Sequence, residues 1–245
     1  MCLPSESKAL LSALVLLAFI GNGLAQDPGS ATQGGVALNA DEIVARLTAE
    51  QAANRERIRA YTVTREYRLY GDKSAETDSR VIAEISFVPP VTKDYRIRER
   101  KGSGQGERIV RKVLQHEREM AASWEETALT PVNYDFVFAG VDVVEGRRCF
   151  VLAIEPKRDS KDLIRGKAWI DATTFNVRRM AGEPAKSPSW WVKKMQLTLT
   201  FSEVEGMWLQ TGAKADAEVR FFGKHVLTAN DIHYRTADAI ASLTH

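Results

Sequence analysis

Near the start of the chain is an apolar run from Ala9 to Ile20, interrupted by nothing more polar than Ser12. As a helix this run would extend about 18 Å, which is too short to cross a hydrocarbon core of about 30 Å. Gly23 and Ala25 follow it and supply the small residues that a signal peptidase accepts. We therefore predict a signal peptide over residues 1–25, cleaved after Ala25, and a periplasmic protein.

Both cysteines bear on this prediction. A lipid anchor would need a cysteine just after the apolar run, but Cys2 precedes it. The mature protein is therefore expected to have no lipid anchor. Cleavage also leaves Cys149 as the single cysteine, so no internal disulfide is expected and the apolar core must provide the stability.

A polar lead-in and then a helical pattern come next. Residues 26–38 are mostly Gly, Ser, Gln and Ala, a composition typical of a flexible segment. Asn39 or Asp41 can cap a helix that extends through Ala60. Its apolar positions at helical spacing are Ile43, Val44 and Leu47.

From Tyr61 the period changes to two, which is typical of half-buried strands. The pattern predicts strands over Tyr61–Leu69, Arg80–Val88 and Thr92–Lys101, then a flexible turn at Gly102–Gly106 and a helix over Glu107–Ala122. The later predicted strands are Tyr134–Ala139, Arg148–Glu155, Ile164–Asp171, Asn176–Ala181, Val192–Val204, Met207–Thr211, Glu218–Phe222 and Val226–Tyr234.

About eleven strands that follow one another along the chain predict a meandering antiparallel sheet. Such a sheet must curl to bury one face. We therefore expect a mainly β (α+β) fold, an incomplete barrel with one or two helices on its concave face, in a domain over residues 39–240. Glu145–Gly146 and Glu205–Gly206 are predicted hairpin turns.

Composition excludes some functions. The apolar fraction of 44% and the charged fraction of 27% are ordinary for a globular protein. A net charge of +2 gives no support for a nucleic-acid partner.

Motifs for hydrolytic chemistry are missing from the sequence. It contains neither the G-x-S-x-G turn that exposes a nucleophilic serine nor the H-E-x-x-H pair that binds zinc. Cys149 lies among apolar strand residues, where a packed side chain is favoured over a nucleophile. We therefore predict no enzyme activity, no catalytic residue, no metal and no cofactor.

Two surface features leave alternatives open. Arg96, Arg98 and Arg100 share one strand face by alternation and could meet an acidic partner, or could simply protect an edge strand from pairing. Trp190 and Trp191, followed by lysines, suit a membrane-touching loop. The alternative is that one of the two tryptophans packs inward.

Several phrases of the sequence resemble the LolA/LolB-like superfamily of outer-membrane lipoprotein-sorting proteins. They are a strand, turn and strand over Gly140–Arg158, the segment Ile164–Asp171 with its Trp-Ile-Asp ending, and Phe201–Leu209 with its Trp-Leu ending. The resemblance covers about residues 40–235. It implies an incomplete barrel whose concave apolar cavity accepts acyl chains.

The function hypothesis follows from that resemblance. The chain is expected to bind a lipid or lipoprotein acyl chain, with transient membrane contact, and to carry it toward the outer membrane. The alternative is an envelope sensor that binds a protein partner through the arginine row. The residues expected to line the cavity are Tyr67, Leu69, Ile85, Phe87, Trp169, Met195, Leu197, Leu199, Phe201 and Trp208.

Overall fold

A computed structural model describes residues 38–71, 79–221 and 223–236. The predicted signal peptide, its cleavage site and nearly all of the predicted lead-in lie outside these residues. Within the described part of the chain, no helix is both long and apolar enough to cross a membrane.

Ten strands and two long helices make up the described chain, with short helical turns between α2 and β4. In chain order they are α1 (Ala40–Arg57), β1 (Tyr61–Tyr70), β2 (Ser79–Val88), β3 (Thr92–Gly102), α2 (Gly104–Met120), a 3₁₀ turn (Ala121–Ser123), α3 (Trp124–Thr127), β4 (Tyr134–Val144), β5 (Arg147–Pro156), β6 (Ile164–Asp171), β7 (Val177–Pro184), β8 (Val192–Val204), β9 (Met207–Val219) and β10 (Gly223–Thr236).

The strands form one antiparallel sheet in the order β3-β2-β1-β10-β9-β8-β7-β6-β5-β4. In the described chain β3 and β4 end this order, so the sheet is an unclosed barrel, as predicted. It has ten strands because Met207–Val219 is a single strand. Small residues such as Gly212, Ala213 and Ala217 interrupt the apolar alternation there, so the sequence suggested two strands.

Cross-strand register shows that both helices cover the same face of the sheet. Residues directly opposite each other share a face, and one row of such partners crosses all ten strands: Arg100, Val81, Tyr67, Ala229, Ala213, Leu199, Met180, Ala168, Leu152 and Phe138. We call the face that this row occupies the inner face.

Each helix packs on its own part of that inner face. Ile43, Val44 and Leu47 of α1 pack with Leu152, Ala168 and Met180. Val110 and Leu114 of α2 pack with Tyr67, Val81 and Ala229. The core therefore has two parts, one under each helix.

The ends of both helices follow from local chemistry. Asn39 and Glu42 form a reciprocal capping box at the start of α1, and Ile58 is already extended, so the helix stops before the predicted Ala60. Ser103 caps α2 at Gly106. Because of this cap, Gly104 and Gly106 belong to the helix and not to the predicted flexible turn.

Candidate functional site

A cavity of about 420 Å³ lies on the inner face, bordered by both helices. We call it the inner cavity. Its sheet wall is mostly apolar and consists of Tyr134, Ile164, Val177, Met180, Leu197, Leu199, Phe201 and Gln210. The helices contribute Gln51 from α1 and His116, Glu117 and Met120 from α2.

The middle of the sheet wall comes from neighbouring strands in register. Leu199 of β8 lies directly opposite Met180 of β7, and Leu197 lies opposite Gly182. Gly182 has no side chain, and an added Cβ would meet the carbonyl oxygen of Arg165 at 2.1 Å. The backbone of β6 therefore requires glycine at position 182, and this neighbour contributes no side chain beside Leu197.

The segment after α2 forms another wall of the cavity and is firmly attached. Asn133 donates to the carbonyl oxygens of Glu125 (2.7 Å) and Ala128 (2.8 Å). Gln51 of α1 donates to the carbonyl oxygen of Leu129 at 3.0 Å, and Leu129 is buried in the core. Hydrogen bonds therefore hold this segment together internally and attach it to α1.

Polar groups lie at another border of the inner cavity. His116 of α2 lies 2.7 Å from Asp162 in the β5–β6 loop, measured from Nε2 to Oδ1. Lys161 lies beside them on the lining. These groups join α2 to the β5–β6 loop and give the cavity a polar rim.

A buried charge cluster borders the same cavity. Arg65 of β1, with a side chain 7% exposed, pairs with Asp231 of β10, which is 1% exposed. Glu117 of α2 lies 3.2 Å from Arg65 and 2.6 Å from Lys93 of β3. Two cations face two carboxylates, so the cluster is neutral as a whole and joins α2 to three strands.

The cluster sets the protonation of its members. Burial alone would raise the pKa of Glu117, but Lys93 and Arg65 lower it below its ordinary value. Burial alone would lower the pKa of Arg65, but Asp231 and Glu117 raise it. Burial also raises the pKa of Tyr67 and Tyr234. Near neutral pH Glu117 is therefore ionised and Arg65 is protonated.

A second, larger groove of about 720 Å³ runs beside α1. Its lining is more polar and includes Arg46, Glu50, Arg57, Asn176 and Glu203. Arg46 already lies over the ring of Phe175 at 5.0 Å, and Arg57 pairs with Glu50. Arg46, Arg57 and Glu50 thus already have partners, and the groove is more polar, so the inner cavity is the better candidate for an apolar ligand.

The described residues contain no group of three or more His, Cys, Asp or Glu side chains placed to hold a metal ion. Cys149 is buried, and burial raises the pKa of its thiol. A raised pKa disfavours the thiolate, which is the reactive form. Cys149 therefore has the environment of a packed core residue.

No protein-family model and no curated protein matches the sequence of this chain. Solved structures do match. A DUF1329 family protein from Desulfovibrio piger has a TM-score of 0.42 at 10% identity, covering 81% of this chain and 93% of that one. A putative outer membrane lipoprotein-sorting protein domain from Vibrio parahaemolyticus has a TM-score of 0.41 at 15% identity, covering 78% and 91%.

A LolA superfamily protein from Nitrosomonas europaea also matches, with a TM-score of 0.37 at 10% identity, covering 82% of this chain and 95% of that one. The chain is similar to LolA-like proteins. With TM-scores below 0.5, the likeness says nothing about function.

The structure places the predicted lining residues in several environments. Leu197, Leu199 and Phe201 do line the inner cavity. Trp208 instead lines the polar groove beside α1. Tyr67 and Ile85 are buried under α2, and Phe87 packs against the ring of Tyr61. Leu69 is buried and Met195 is partly buried, but neither is among the lining residues.

Trp169 corrects another expectation. It follows Ala168, an inner-face residue, so strand alternation places it on the outer face. There its indole nitrogen donates to Asp142 at 2.9 Å and Arg179 lies over its ring. Trp169 therefore does not line the cavity.

Other lining residues were missed, including Tyr134, Val177 and Met180. The strands that carry them were predicted. The alternation of apolar and polar residues along a strand, however, does not show which inner-face residues lie at the cavity between α1 and α2. The resemblance also gave no positions for α2. His116 and Glu117 could have been suspected only from their place in an amphipathic helix.

The arginine row is divided between the two faces of β3. A bulge shifts the register between Ile82 and Ala83, so Arg100 lies opposite Val81 on the inner face and bonds Glu107 of α2 at 2.9 Å. Arg98 bonds Glu84 at 2.6 Å. The expectation that all three arginines share one face is therefore wrong for Arg100. Arg96 and Arg98 remain on the outer face.

Proposed function

We propose that the chain is a non-enzymatic periplasmic protein that holds a lipid or lipoprotein acyl chain in the inner cavity and carries it toward the outer membrane. The observation behind this proposal is the cavity itself, a space of about 420 Å³ on the inner face between an apolar sheet wall and two helices. Small-molecule pockets commonly occupy about 300–1,000 Å³, so the size is adequate for a chain.

The distribution of polarity also suits such a ligand. The sheet wall offers Leu197, Leu199, Phe201 and Met180 to methylene groups, each of which gains about 0.8 kcal/mol on leaving water. His116, Asp162 and Lys161 lie at the polar border. A headgroup there would keep contact with hydrogen-bonding groups while the tail lies along the sheet.

The alternative of a protein-binding sensor has less support. It depends on Arg96, Arg98 and Arg100 acting as one surface, and Arg100 is on the other face. Arg98 and Arg100 are also paired with Glu84 and Glu107.

The first test is a pair of tryptophan substitutions on β8. Leu197→Trp fills the cavity from its sheet wall. Gln196→Trp places the same side chain one residue earlier on β8, where it is exposed on the outer face of the sheet. With a fluorescent long-chain fatty acid as the probe, we expect Leu197→Trp to weaken binding at least tenfold and Gln196→Trp to leave it unchanged.

A second measurement uses the natural ligand. Extraction of lipids from protein purified from its own host should yield copurifying acyl species from the wild type and less from Leu197→Trp. Wild-type protein that binds no fatty acid and copurifies with no acyl species would contradict the proposal. So would equal binding by the two variants.

A further inference from the structure

Two loops meet at one end of the sheet and expose three aromatic side chains. Trp190 and Trp191, in the β7–β8 loop, are 72% and 51% exposed, and Phe221, in the β9–β10 turn, is 92% exposed. The backbone N–H of Arg220 donates to the carbonyl oxygen of Trp191 at 2.8 Å. The two loops are therefore directly bonded to each other.

The β7–β8 loop holds its tryptophans in place. Ser187 Oγ donates to the carbonyl oxygens of Ser189 and Val192 at 2.9 and 3.2 Å. The two indole rings contact each other, with centroids 5.8 Å apart. Their exposure is therefore a property of an ordered loop, and both tryptophans face outward. The alternative of an inward-packed tryptophan is wrong.

The turn that bears Phe221 also has an unusual backbone. Phe221 has a φ of 68°, in the left-handed region that residues with a side chain rarely adopt. This conformation presents the ring to solvent at the tip of the turn. A strained residue that exposes a large apolar ring suggests a surface with a partner.

Basic residues flank the three aromatic residues in the sequence. Lys193 and Lys194 follow Trp191 directly, and Arg220 precedes Phe221. Glu218 lies near these residues and pairs with Lys193 at 3.3 Å. One cation is thus neutralised, and the other two remain in excess around the aromatic rings.

We infer that these six residues, Trp190, Trp191, Lys193, Lys194, Arg220 and Phe221, dock the protein on an anionic lipid surface. Indole rings favour the boundary between headgroups and acyl chains, where one side is apolar and the other wet. Basic side chains beside them attract anionic headgroups. The rings lie at loop tips, which can enter a membrane interface, and not in a groove that would hold a peptide.

The position of this aromatic–basic patch agrees with that partner. The β7–β8 loop is bonded to the β5–β6 loop, because Ala185 N–H donates to the carbonyl oxygen of Leu163 (2.8 Å) and Lys186 N–H to that of Ser160 (3.1 Å). The same β5–β6 loop contributes Lys161 and Asp162 to the border of the inner cavity. Docking would therefore bring that border close to the membrane. The inference itself does not depend on what the cavity binds.

Vesicle flotation tests the inference with the full chain. Vesicles of phosphatidylglycerol mixed with phosphatidylcholine provide the anionic surface, and pure phosphatidylcholine is the neutral comparison. We expect the wild type to prefer the anionic vesicles by about tenfold or more, since each free cation near such a surface contributes about 1 kcal/mol. Raising the salt concentration should reduce this preference.

Three variants distinguish the contributions. Trp190→Ser with Trp191→Ser and Phe221→Ser should reduce binding to anionic vesicles at least tenfold and abolish the blue shift of tryptophan emission. Lys194→Gln with Arg220→Gln should remove the preference for anionic lipid. The matched control, Val137→Ser with Val143→Ser, removes exposed apolar side chains from β4 and should bind like the wild type. All variants share the same N-terminal residues, so any contribution of these residues cancels.

Other results would overturn the inference. One is a wild type that ignores anionic vesicles, and another is binding that the patch variants leave unchanged. A third is concentration-dependent dimerisation without lipid that the aromatic variant abolishes, because the patch would then bind a second copy. Leu197→Trp should still dock on vesicles, so failure of the cavity proposal can be told apart from failure of this one.

Discussion

Asp171 shows how a single buried charge is accommodated at a strand end. Its side chain is 1% exposed and lies 2.6 Å from Arg178 and 3.5 Å from Arg147. One carboxyl oxygen also accepts from the backbone N–H groups of Thr173 and Thr174. Burial alone would raise the pKa of Asp171, but the N–H groups and Arg178 lower it to about 2.

This carboxylate makes stability depend on acid. The pKa is lower in the folded state than its ordinary value of 3.8, so the stabilisation is complete above about pH 4 and is lost as pH falls toward 2. The difference corresponds to about 2 kcal/mol. At neutral pH we expect Asp171→Asn to lower the free energy of unfolding by about that amount.

Urea unfolding of both proteins at several pH values measures the effect. The deficit of Asp171→Asn should begin to shrink below about pH 4, where the wild type starts to lose its own advantage. Asp135→Asn alters an exposed carboxylate that pairs with Lys157 at 3.4 Å and should change little, as surface pairs do. A deficit that stays constant with pH would contradict the assigned cause.

At the scale of secondary structure elements, the position of α2 depends on one close approach. A Cβ at Gly106 would lie 2.2 Å from the hydroxyl oxygen of Ser79 on β2. Ser79 cannot easily yield, because it is buried and its hydroxyl lies 3.0 Å from that of Ser103. A Cβ at Gly104, two residues earlier in α2, would meet nothing within 4 Å.

We therefore expect opposite results from two similar substitutions. Gly106→Ala should destabilise the protein by about 1–3 kcal/mol, as overpacking does. Gly104→Ala should be neutral or stabilising by up to about 1 kcal/mol, because alanine favours a helix. Thermal unfolding gives both values, and Ser79→Gly should partly rescue Gly106→Ala. Equal effects of the two alanines would show that the contact with Ser79 does not position α2.

Elements were predictable where a local rule decides them. The hairpin turns at Glu145–Gly146 and Glu205–Gly206 are confirmed, because all four residues have positive φ and a dipeptide ending in glycine suits that geometry. The face of Arg100 was not predictable, since a bulge at Arg98 within β3 itself reverses the alternation. Cavity-lining residues such as Met180 were missed for a similar reason, because helix placement is a long-range property.

At the scale of the whole molecule, the two ends of the sheet differ. Edge strand β3 is largely charged, which protects it from pairing with other chains. Edge strand β4 exposes Val137, Val141 and Val143, at 65%, 48% and 63%. An apolar edge of eleven residues is a place where another strand can add.

We expect aggregation after heating to proceed through β4. Val141→Lys should reduce light scattering of heated samples because a lysine on an edge strand opposes pairing. Gln196→Lys adds the same charge on the interior strand β8 and is the control for net charge. If both lysines reduce scattering equally, the effect comes from charge and not from the edge.

The strand order has a consequence for how the molecule is made. β1 lies between β2 and β10, so the register Tyr61↔Thr236 joins residues far apart along the chain. Until β10 has been synthesised, β1 to β3 with α2 can form a local unit, but no strand pairing connects it to the strands under α1. Such distant contacts slow folding and leave apolar surface exposed meanwhile. The inner cavity, which needs both helices, is therefore among the last parts of the nascent chain to assemble.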